Sequence, residues 1–144
     1  MNQILIVYWS GTGNTAAMAE MVASGIREAG KEPVIIPAEE AAAEQLSSFQ
    51  AAAFGCPSMG DETLEESVME PFVEAAEKNV SGKTIGLFGS YGWGDGQWMR
   101  DWSTRMEAAG ATVLNGEGLI CHETPDEDGL SECVELGKAL AQNA

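Results

Sequence analysis

Positive charge is scarce in this sequence. Its 144 residues include 7 lysines and arginines against 23 aspartates and glutamates, which gives a formal net charge of -16 at pH 7. Nucleic acids and anionic membranes attract basic surfaces, so this balance excludes them as main partners. A basic protein surface is the partner that the charge favours. The apolar share of 44% is ordinary for a folded chain, so the acidity does not indicate disorder.

Residues that bind metals or form disulfides are also few. The cysteines are Cys56, Cys121 and Cys133, without a Cys-x-x-Cys pair, and His122 is the only histidine. We expect the cysteines to be mostly buried, reduced thiols and His122 to be a structural or exposed side chain. We therefore predict no metal site.

Long hydrophobic runs are missing as well. The longest apolar stretches have the length of a strand, and no charged-then-hydrophobic leader precedes them. We therefore expect no transmembrane or signal segment, and a cytoplasmic location. The length predicts one domain, residues 1–144, that buries about 68–70% of the surface exposed by the unfolded chain.

What the sequence does contain is a regular alternation of strand-like and helix-like segments. The predicted strands are residues 4–8, 33–36, 51–55, 83–90 and 112–121, with apolar residues at helical spacing between most of them. This alternation predicts an α/β fold, a doubly wound five-stranded parallel sheet with helices on both faces. Ligands of such sheets bind beyond the carboxyl ends of the strands. The loops after strands one, three and four are therefore the candidate sites.

Three helix boundaries can be predicted in more detail. Residues 41–46 are rich in Ala and Glu and predict a short helical segment. Pro71 would cost about 3 kcal/mol in a helix interior, so we expect the regular helix to begin near it. Thr124, Pro125 and Glu127 match a capping box, which predicts Thr124 as the N-cap of the last helix.

The loop after the first strand has the composition of a phosphate site. Residues 10–15 read Ser-Gly-Thr-Gly-Asn-Thr and lie at the predicted start of a helix, where backbone N–H groups are free. The loop lacks the Gly-Lys-Ser/Thr ending of a P-loop and the third glycine of the dinucleotide fingerprint. No lysine or arginine precedes Arg27. The loop predicts a phosphate monoester held without a cation, and a simple turn is the alternative.

Two further loops offer side chains that suit a flat ring. The loop after strand three contains Met59, a polarizable thioether, and Gly60, which tolerates unusual backbone conformations. The loop after strand four places Trp93 between glycines, and an exposed indole usually marks a binding surface. Taken alone, the loop after strand three could also be an exposed acidic turn. Taken alone, the loop after strand four could also place Trp93 against the core. Together with the phosphate loop, they predict a phosphorylated ligand with a flat ring.

These three loops resemble those of the flavodoxin family. The resemblance is carried by residues 8–15, 59–62 and 89–96, and it extends through residues 70–72 and 98–101 over essentially the whole chain. The fifth-strand region has no room for the insertion of long-chain members, so the sequence looks like the short-chain, clostridial-type subgroup. The resemblance implies the strand order 2-1-3-4-5 and non-covalently bound FMN.

The resemblance also implies individual roles. The phosphate would lie in residues 10–15, and the isoalloxazine ring between Met59 and Trp93. Gly60 would carry the peptide that flips on one-electron reduction. Asp61 and Glu62 would contact the pyrimidine edge, with Glu62 bonding N3.

The implied set of cofactor-binding residues is larger than these. It comprises Ser10, Gly11, Thr12, Gly13, Asn14, Thr15, Pro57, Ser58, Met59, Gly60, Asp61, Glu62, Ser90, Tyr91, Gly92, Trp93 and Gly94. Pro57 stands where some relatives carry a small hydroxyl residue. Whether Pro57 or Ser58 contacts the cofactor therefore stays open.

The function implied by the resemblance is electron transfer, not enzymatic catalysis. The protein would be a low-potential one-electron carrier, shuttling between the semiquinone and hydroquinone of FMN. Redox proteins such as reductases would dock at its acidic flavin edge, and it would be a monomer. One alternative is a flavodoxin-like NAD(P)H:quinone-type reductase, which would need a substrate shelf that so compact a chain does not show. A signalling receiver domain would need acids where Tyr8, Trp9, Gly55 and Cys56 stand.

Overall fold

Strands and helices alternate along the chain. The computed structural model describes residues 2–60, 62–114, 116 and 118–143. The strands are β1 (Gln3–Tyr8), β2 (Glu32–Pro37), β3 (Ala51–Gly55), β4 (Thr84–Tyr91), β5 (Thr112–Val113) and β6 (Leu119–His122). The α-helices are α1 (Asn14–Glu28), α2 (Met69–Ala76), α3 (Gln97–Ala108) and α4 (Glu127–Ala141).

The strands form one parallel sheet in the order β2-β1-β3-β4-β5, with β6 also paired to β4. This order confirms the predicted doubly wound α/β fold. The central strand β3 is buried at every position, as its unbroken run of small and apolar residues indicates. The four α-helices of the described residues start at the carboxyl edge of the sheet, because each follows a strand of the same direction.

Helices cover both faces of the sheet. On one face, α1 and α4 pack over the strand residues Ile4, Ile6 and Phe88. On the other face, α2 and α3 pack over Leu5 and Phe54 and their neighbours. Alternate residues of β1 thus point to opposite cores, as the pleat of a strand requires.

The helices α1 and α4 approach each other closely, because each contributes a glycine to their contact. A Cβ atom on Gly25 would lie 1.9 Å from the carbonyl oxygen of Val134. One on Gly137 would lie 2.1 Å from the carbonyl oxygen of Val22. Backbone therefore touches backbone, which fixes the spacing of the two helices.

The prediction of one fifth strand over residues 112–121 is wrong. The structure divides it into β5, which pairs with the start of β4, and β6, which pairs with its end. Between them, Gly116 and Gly118 have φ values of 58° and 88°. These left-handed conformations interrupt an extended strand. A Cβ atom on Gly118 would lie 2.2 Å from Met99, so the interruption is packed against α3.

The helical segment predicted over residues 41–46 is not an α-helix. Two 3₁₀ helices, Ala38–Glu40 and Ala43–Ser48, occupy this region. In the second, the buried residues Ala43 and Leu46 are three positions apart, which is the repeat of a 3₁₀ helix.

The capping box predicted for the last helix is also wrong. Helix α4 begins at Glu127, and its N-cap is Asp126, whose carboxylate accepts a hydrogen bond of 2.7 Å from the N–H of Gly129. Asp caps a helix at least as well as Thr, and Asp126 is two residues closer to the helix than Thr124. The start of α2 at Met69, two residues before Pro71, confirms the other boundary.

Candidate functional site

The loop between β1 and α1 presents unpaired backbone N–H groups at the start of a helix. Gly13 is the N-cap and has a φ of 97°, in the region that favours glycine. The hydroxyl of Ser10 accepts hydrogen bonds from the N–H groups of Gly13 and Ala16, both at 3.2 Å. Within the described residues, the N–H groups of Asn14 and Thr15 have no acceptor. These N–H groups and the positive end of the helix dipole make the loop a candidate anion site.

This loop forms one wall of a cleft of about 390 Å³ at the carboxyl edge of the sheet. Loops after β1, β3, β4 and β6 line it with Trp9, Gly11, Thr12, Asn14, Pro57, Ser58, Met59, Ser90, Tyr91, Gly92, Glu123 and Thr124. No lysine or arginine is among these lining residues. Backbone and hydroxyl dipoles are therefore what the cleft offers to an anion.

A tight hairpin after β3 forms the second wall. Met59 and Thr63 exchange two backbone hydrogen bonds, of 2.8 and 2.9 Å. Between them, Gly60 and Glu62 have φ values of 47° and 58°. Asp61 lies outside the described residues. The hydrogen bonds between Met59 and Thr63 hold the base of the hairpin, and this restricts the position of its tip. The tip contains Gly60, whose peptide is predicted to flip.

Buried contacts anchor the hairpin at its base. The Sγ atom of Cys56 accepts a hydrogen bond of 3.4 Å from the N–H of Glu65. The indole Nε1 of Trp98 donates to the carbonyl oxygen of Cys56 at 3.1 Å. Burial raises the pKa of the Cys56 thiol to about 12, so this thiol stays protonated and unreactive at neutral pH.

The side chain of Glu65 caps the start of α2. Its buried carboxylate accepts hydrogen bonds from the N–H groups of Ser67, Val68 and Met69, at 2.9, 2.7 and 3.0 Å, and from the Ser67 hydroxyl. Burial alone would raise the pKa of Glu65, but these hydrogen bonds together lower it to about 2. The carboxylate is therefore ionised at neutral pH, at the positive end of α2.

The third wall of the cleft is formed by the end of β4 and the loop after it. Two hydroxyl groups connect this wall to the first wall, at the start of α1. The Oγ atom of Ser90 lies 3.0 Å from Oγ1 of Thr15, and both side chains are buried. The N–H of Ser90 also donates to Thr15 Oγ1, at 3.3 Å. The Thr15 hydroxyl thus joins the start of α1 to the end of β4.

Glu62 reaches from the hairpin to the start of α3. Its Oε1 atom accepts hydrogen bonds from the N–H groups of Gly96 and Gln97, each at 3.1 Å. Gly94 has a φ of 87°, and a Cβ atom there would lie 2.4 Å from the carboxyl carbon of Glu62. The glycine at position 94 is therefore what allows this carboxylate to reach α3.

His122, expected from the sequence to be structural or exposed, supports the third loop. Its Nε2 atom lies 3.1 Å from the carbonyl oxygen of Gly92. A carbonyl oxygen can only accept, so Nε2 carries the hydrogen and donates it. The imidazole also meets the ring of Tyr91 edge-on, with 5.1 Å between ring centroids. Trp93, in the same loop, is 62% exposed.

The structure brings most of the predicted residues of the three loops to one cleft. Those on its wall are Gly11, Thr12, Asn14, Pro57, Ser58, Met59, Ser90, Tyr91 and Gly92. Those close by but not on the wall are Ser10, Gly13, Thr15, Gly60, Glu62, Trp93 and Gly94. The contacts of both groups of residues with a cofactor, and any contact of Asp61, stay predictions.

Three lining residues were missed in the sequence. Trp9 directly follows β1, and Glu123 and Thr124 directly follow β6. Since parallel strands end at one edge, the rule that led to the other loops would have found Glu123 and Thr124 if applied to the last strand.

The described residues contain neither a candidate metal site nor a candidate membrane-spanning helix. In this part of the chain, no group of three or more His, Cys, Asp or Glu side chains could hold a metal ion. Nor does any helix within it have the length and apolar character needed to cross a membrane.

Known proteins resemble this chain over nearly its whole length. The sequence profile of the family described as Flavodoxin matches residues 6–137. The flavodoxin of Clostridium beijerinckii is 48% identical over 136 residues, covering 94% of this chain and 97% of that protein. The flavodoxin of Megasphaera elsdenii is 45% identical over 137 residues, covering 95% and 97%. The solution structure of two-electron reduced Megasphaera elsdenii flavodoxin has a TM-score of 0.86 at 43% identity, covering 96% of this chain and 98% of that one.

Proposed function

The chain belongs to the flavodoxin family and is an electron-transfer protein with FMN as its cofactor, and we propose that FMN binds in the cleft described above. Bound FMN supplies a ring that accepts and donates electrons one at a time. The chain's own residues hold the phosphate, shape the space for the ring and set the charge around it.

The free N–H groups at the start of α1 are the observation that carries this proposal. The backbone N–H groups of Asn14 and Thr15 donate to no described residue, and α1 has no acidic residue in its first turn. The hydroxyl of Thr12 and the amide of Asn14 add side-chain donors on the cleft wall. A phosphate monoester would complete the hydrogen bonds of this helix start without displacing a protein group.

The remaining cleft fits the sugar chain and flat ring of FMN. Its volume of about 390 Å³ lies within the usual range of small-molecule sites. Met59 lines it and would lie against one face of the ring. Trp93 would cover the other face, since its exposed indole has a large apolar surface free to be buried.

The hairpin after β3 would respond to the oxidation state of the ring. The Met59–Thr63 pairing holds its base, while Gly60, in the left-handed region, has no side chain to obstruct a turn of its peptide. The Gly60 carbonyl would be the group that this hairpin offers as a hydrogen-bond acceptor to N5 of the ring. One such hydrogen bond would be worth about 0.5–1.5 kcal/mol, or roughly 20–65 mV for a one-electron couple.

The pyrimidine edge would lie near Asp61 and Glu62. The Oε1 atom of Glu62 already accepts from two N–H groups of α3, which leaves Oε2 as the oxygen for N3 of the ring. One carboxylate would then connect the ring to the third loop.

The charge around the cleft favours a low potential. No cation lines it, and the chain carries a net charge of -16. A carboxylate about 10 Å from the ring would disfavour an added negative charge by roughly 0.4–1.7 kcal/mol before screening by salt. Several such groups, together with an unneutralised phosphate, would lower the reduction potential for the second electron by roughly tens of millivolts.

The alternative of a flavin-dependent NAD(P)H:quinone-type reductase is not favoured. The relatives that this chain matches over nearly its full length are named flavodoxins, and the chain covers 97% of each of them. We propose that the protein works in the cytoplasm as a monomer, and that basic surfaces of redox partners dock at the acidic edge of the cleft.

An anaerobic reductive titration, followed by visible absorption, tests this proposal. We expect a yellow protein with one FMN, and a blue one-electron-reduced form that accumulates before full reduction. The Gly60→Ala variant should accumulate less of it while binding FMN nearly as tightly, because the phosphate loop is untouched. Absence of bound flavin, or reduction in a single two-electron step, would contradict the proposal.

A further inference from the structure

We propose that the free edge of β6 and the apolar groove beside it form a docking site for an extended, basic and apolar segment of a redox partner. The proposal rests on the electron-transfer function given above, and it adds a second surface to the acidic edge of the cleft. The segment pairs with β6 as an added strand, places apolar side chains in the groove, and turns lysine or arginine side chains toward the acids around it.

The groove lies between β6 and α4 and has a volume of about 520 Å³, against about 390 Å³ for the cleft. Most of its lining is apolar and comes from Leu114, Leu119, Ile120, Leu136 and Ala139. Gly118 also lines it, so that position contributes no side chain that could fill the space. On soluble proteins, a sizeable apolar surface open to solvent usually marks a site of interaction.

Strand β6 presents a free edge beside this groove. It pairs with β4 on one side, and no strand of the described residues pairs with it on the other. The N–H of Glu123 donates to the carbonyl oxygen of Tyr91 on β4, at 2.7 Å. Because the backbone groups of successive strand residues face opposite edges, the N–H and C=O groups of Ile120 and His122 face outward. These are the groups that an added strand pairs with.

Acidic side chains determine which charge the partner carries. Glu132 and Glu135 line the groove itself. Glu135 shares Lys138 with Glu28, each at 3.7 Å, whereas Glu132 has no ion pair within the described part of the chain. A basic segment therefore complements this groove. A second copy of this chain does not, because its net charge is also -16.

The groove is continuous with the edge of the cleft. Strand β6 ends at His122, and the next two residues, Glu123 and Thr124, line the cleft. From position 123 to 135 the chain has no lysine or arginine, and its exposed acids are Glu123, Asp126, Glu127, Asp128, Glu132 and Glu135. A segment paired with β6 therefore ends beside the proposed flavin site, which is why the occupant is a redox partner.

The experiment follows the backbone amides of the isotope-labelled, FMN-loaded protein by NMR at low salt while a peptide is added. The probe is a capped heptapeptide that alternates lysine and valine, and a lysine–serine peptide of the same charge is its control. We expect the lysine–valine peptide to shift the amides of Ile120, His122, Glu132 and Ala139. It should bind about 10-fold more tightly than the control, because valine is buried in the groove. Visible absorption of the same samples reports flavin binding, so a failure of docking is distinguished from a failure of the proposed function.

Matched variants test the groove. Glu132→Lys with Glu135→Lys should weaken binding of the lysine–valine peptide about 10-fold, because it reverses the charge of the lining. Glu39→Lys with Glu40→Lys makes the same charge change at exposed positions after β2, at the opposite edge of the sheet, and should weaken it less than about twofold. Ala139→Phe should also weaken binding, because it fills the groove without changing charge.

Three results would overturn the proposal. They are equal binding of the two peptides by the native protein, amide shifts confined to other surfaces, and equal losses in the two charge variants. The first two need no variant to fold.

Discussion

Helices α1 and α3 start in the same way, yet a carboxylate accepts hydrogen bonds from the free N–H groups of α3 and no carboxylate of the described residues does so at α1. We call a helix start closed when a carboxylate accepts from its N–H groups, and open when none does. Each follows the carboxyl end of a strand and has a left-handed glycine as its N-cap, Gly13 with φ 97° and Gly96 with φ 96°. At α3, the Glu62 carboxylate fills the site from the neighbouring hairpin. At α1, the side chain that accepts is the neutral hydroxyl of Ser10.

The other two helices follow the pattern of α3. Glu65 closes α2 and Asp126 closes α4. Among the described residues, α1 is thus the helix start that no carboxylate occupies, in a chain with 23 acidic residues. A carboxylate of the chain would compete with a bound phosphate for the same N–H groups. The absence of an acid at the start of α1 therefore leaves its N–H groups available to the proposed phosphate.

The largest effect should come from closing α1 like the others. In Ser10→Asp, the carboxylate would cap the N–H groups of Gly13 and Ala16 and repel the phosphate. At about 4 Å two unit charges repel by roughly 1–4 kcal/mol, so we expect FMN affinity to fall about 100-fold while the apoprotein becomes more stable. Flavin fluorescence and denaturant titrations measure both. Ser10→Asn, which has the shape without the charge, is the control, and equal losses in both variants would contradict this explanation.

The second largest effect should come from opening α3. Glu62→Ala removes a charged acceptor from two N–H groups and should destabilise the apoprotein by about 2 kcal/mol. The vacated start of α3 should then bind anions, so sulfate should stabilise this variant more than the native apoprotein. Glu62→Gln keeps an acceptor oxygen and should lose less. Identical sulfate responses in the variant and the native chain would show that α3 is not a second anion site.

Acid should open α2 by titrating its carboxylate. The folded-state pKa of Glu65, about 2, is below its ordinary value, so its stabilisation is present above about pH 4.5 and lost as pH falls toward 2. We expect Glu65→Gln to be less stable than the native chain by about 1.5 kcal/mol at pH 7, with the difference shrinking over that window. Urea unfolding at a series of pH values measures it. A difference that stays constant down to pH 2 would exclude titration of Glu65 as its source.

The smallest effect should come from α4, which is capped within its own chain segment. Asp126→Ala should destabilise the protein by about 1 kcal/mol, measured by thermal unfolding, and change FMN affinity by less than about threefold. A large loss of affinity would show that this cap also positions Glu123 and Thr124 in the cleft.

Local patterns predicted the fold and the three loops, because strand and helix periodicity and the rule of the carboxyl edge are properties of short segments. Most of what the sequence did not predict depends on contacts between distant residues, whereas the N-cap of α4 was a choice between two neighbouring candidates, Thr124 and Asp126. The break between β5 and β6 follows from Gly118 packing against Met99, and the closure of α3 joins Glu62 to residues 34 and 35 positions away. His122 bonds Gly92 across 30 positions. No pattern within a single segment carries such pairings.

The glycine contact between α1 and α4 has a consequence for how related chains can vary. Any side chain at position 25 or 137 would meet a carbonyl oxygen at about 2 Å, so a substitution is accommodated only by moving a whole helix. The N-terminal end of α1 is the proposed phosphate site, and a shifted α1 would move that site away from the loops proposed to hold the ring. Gly25 and Gly137, which lie far from the N-terminal end of α1, therefore help to set the distance between the proposed phosphate site and the proposed ring site.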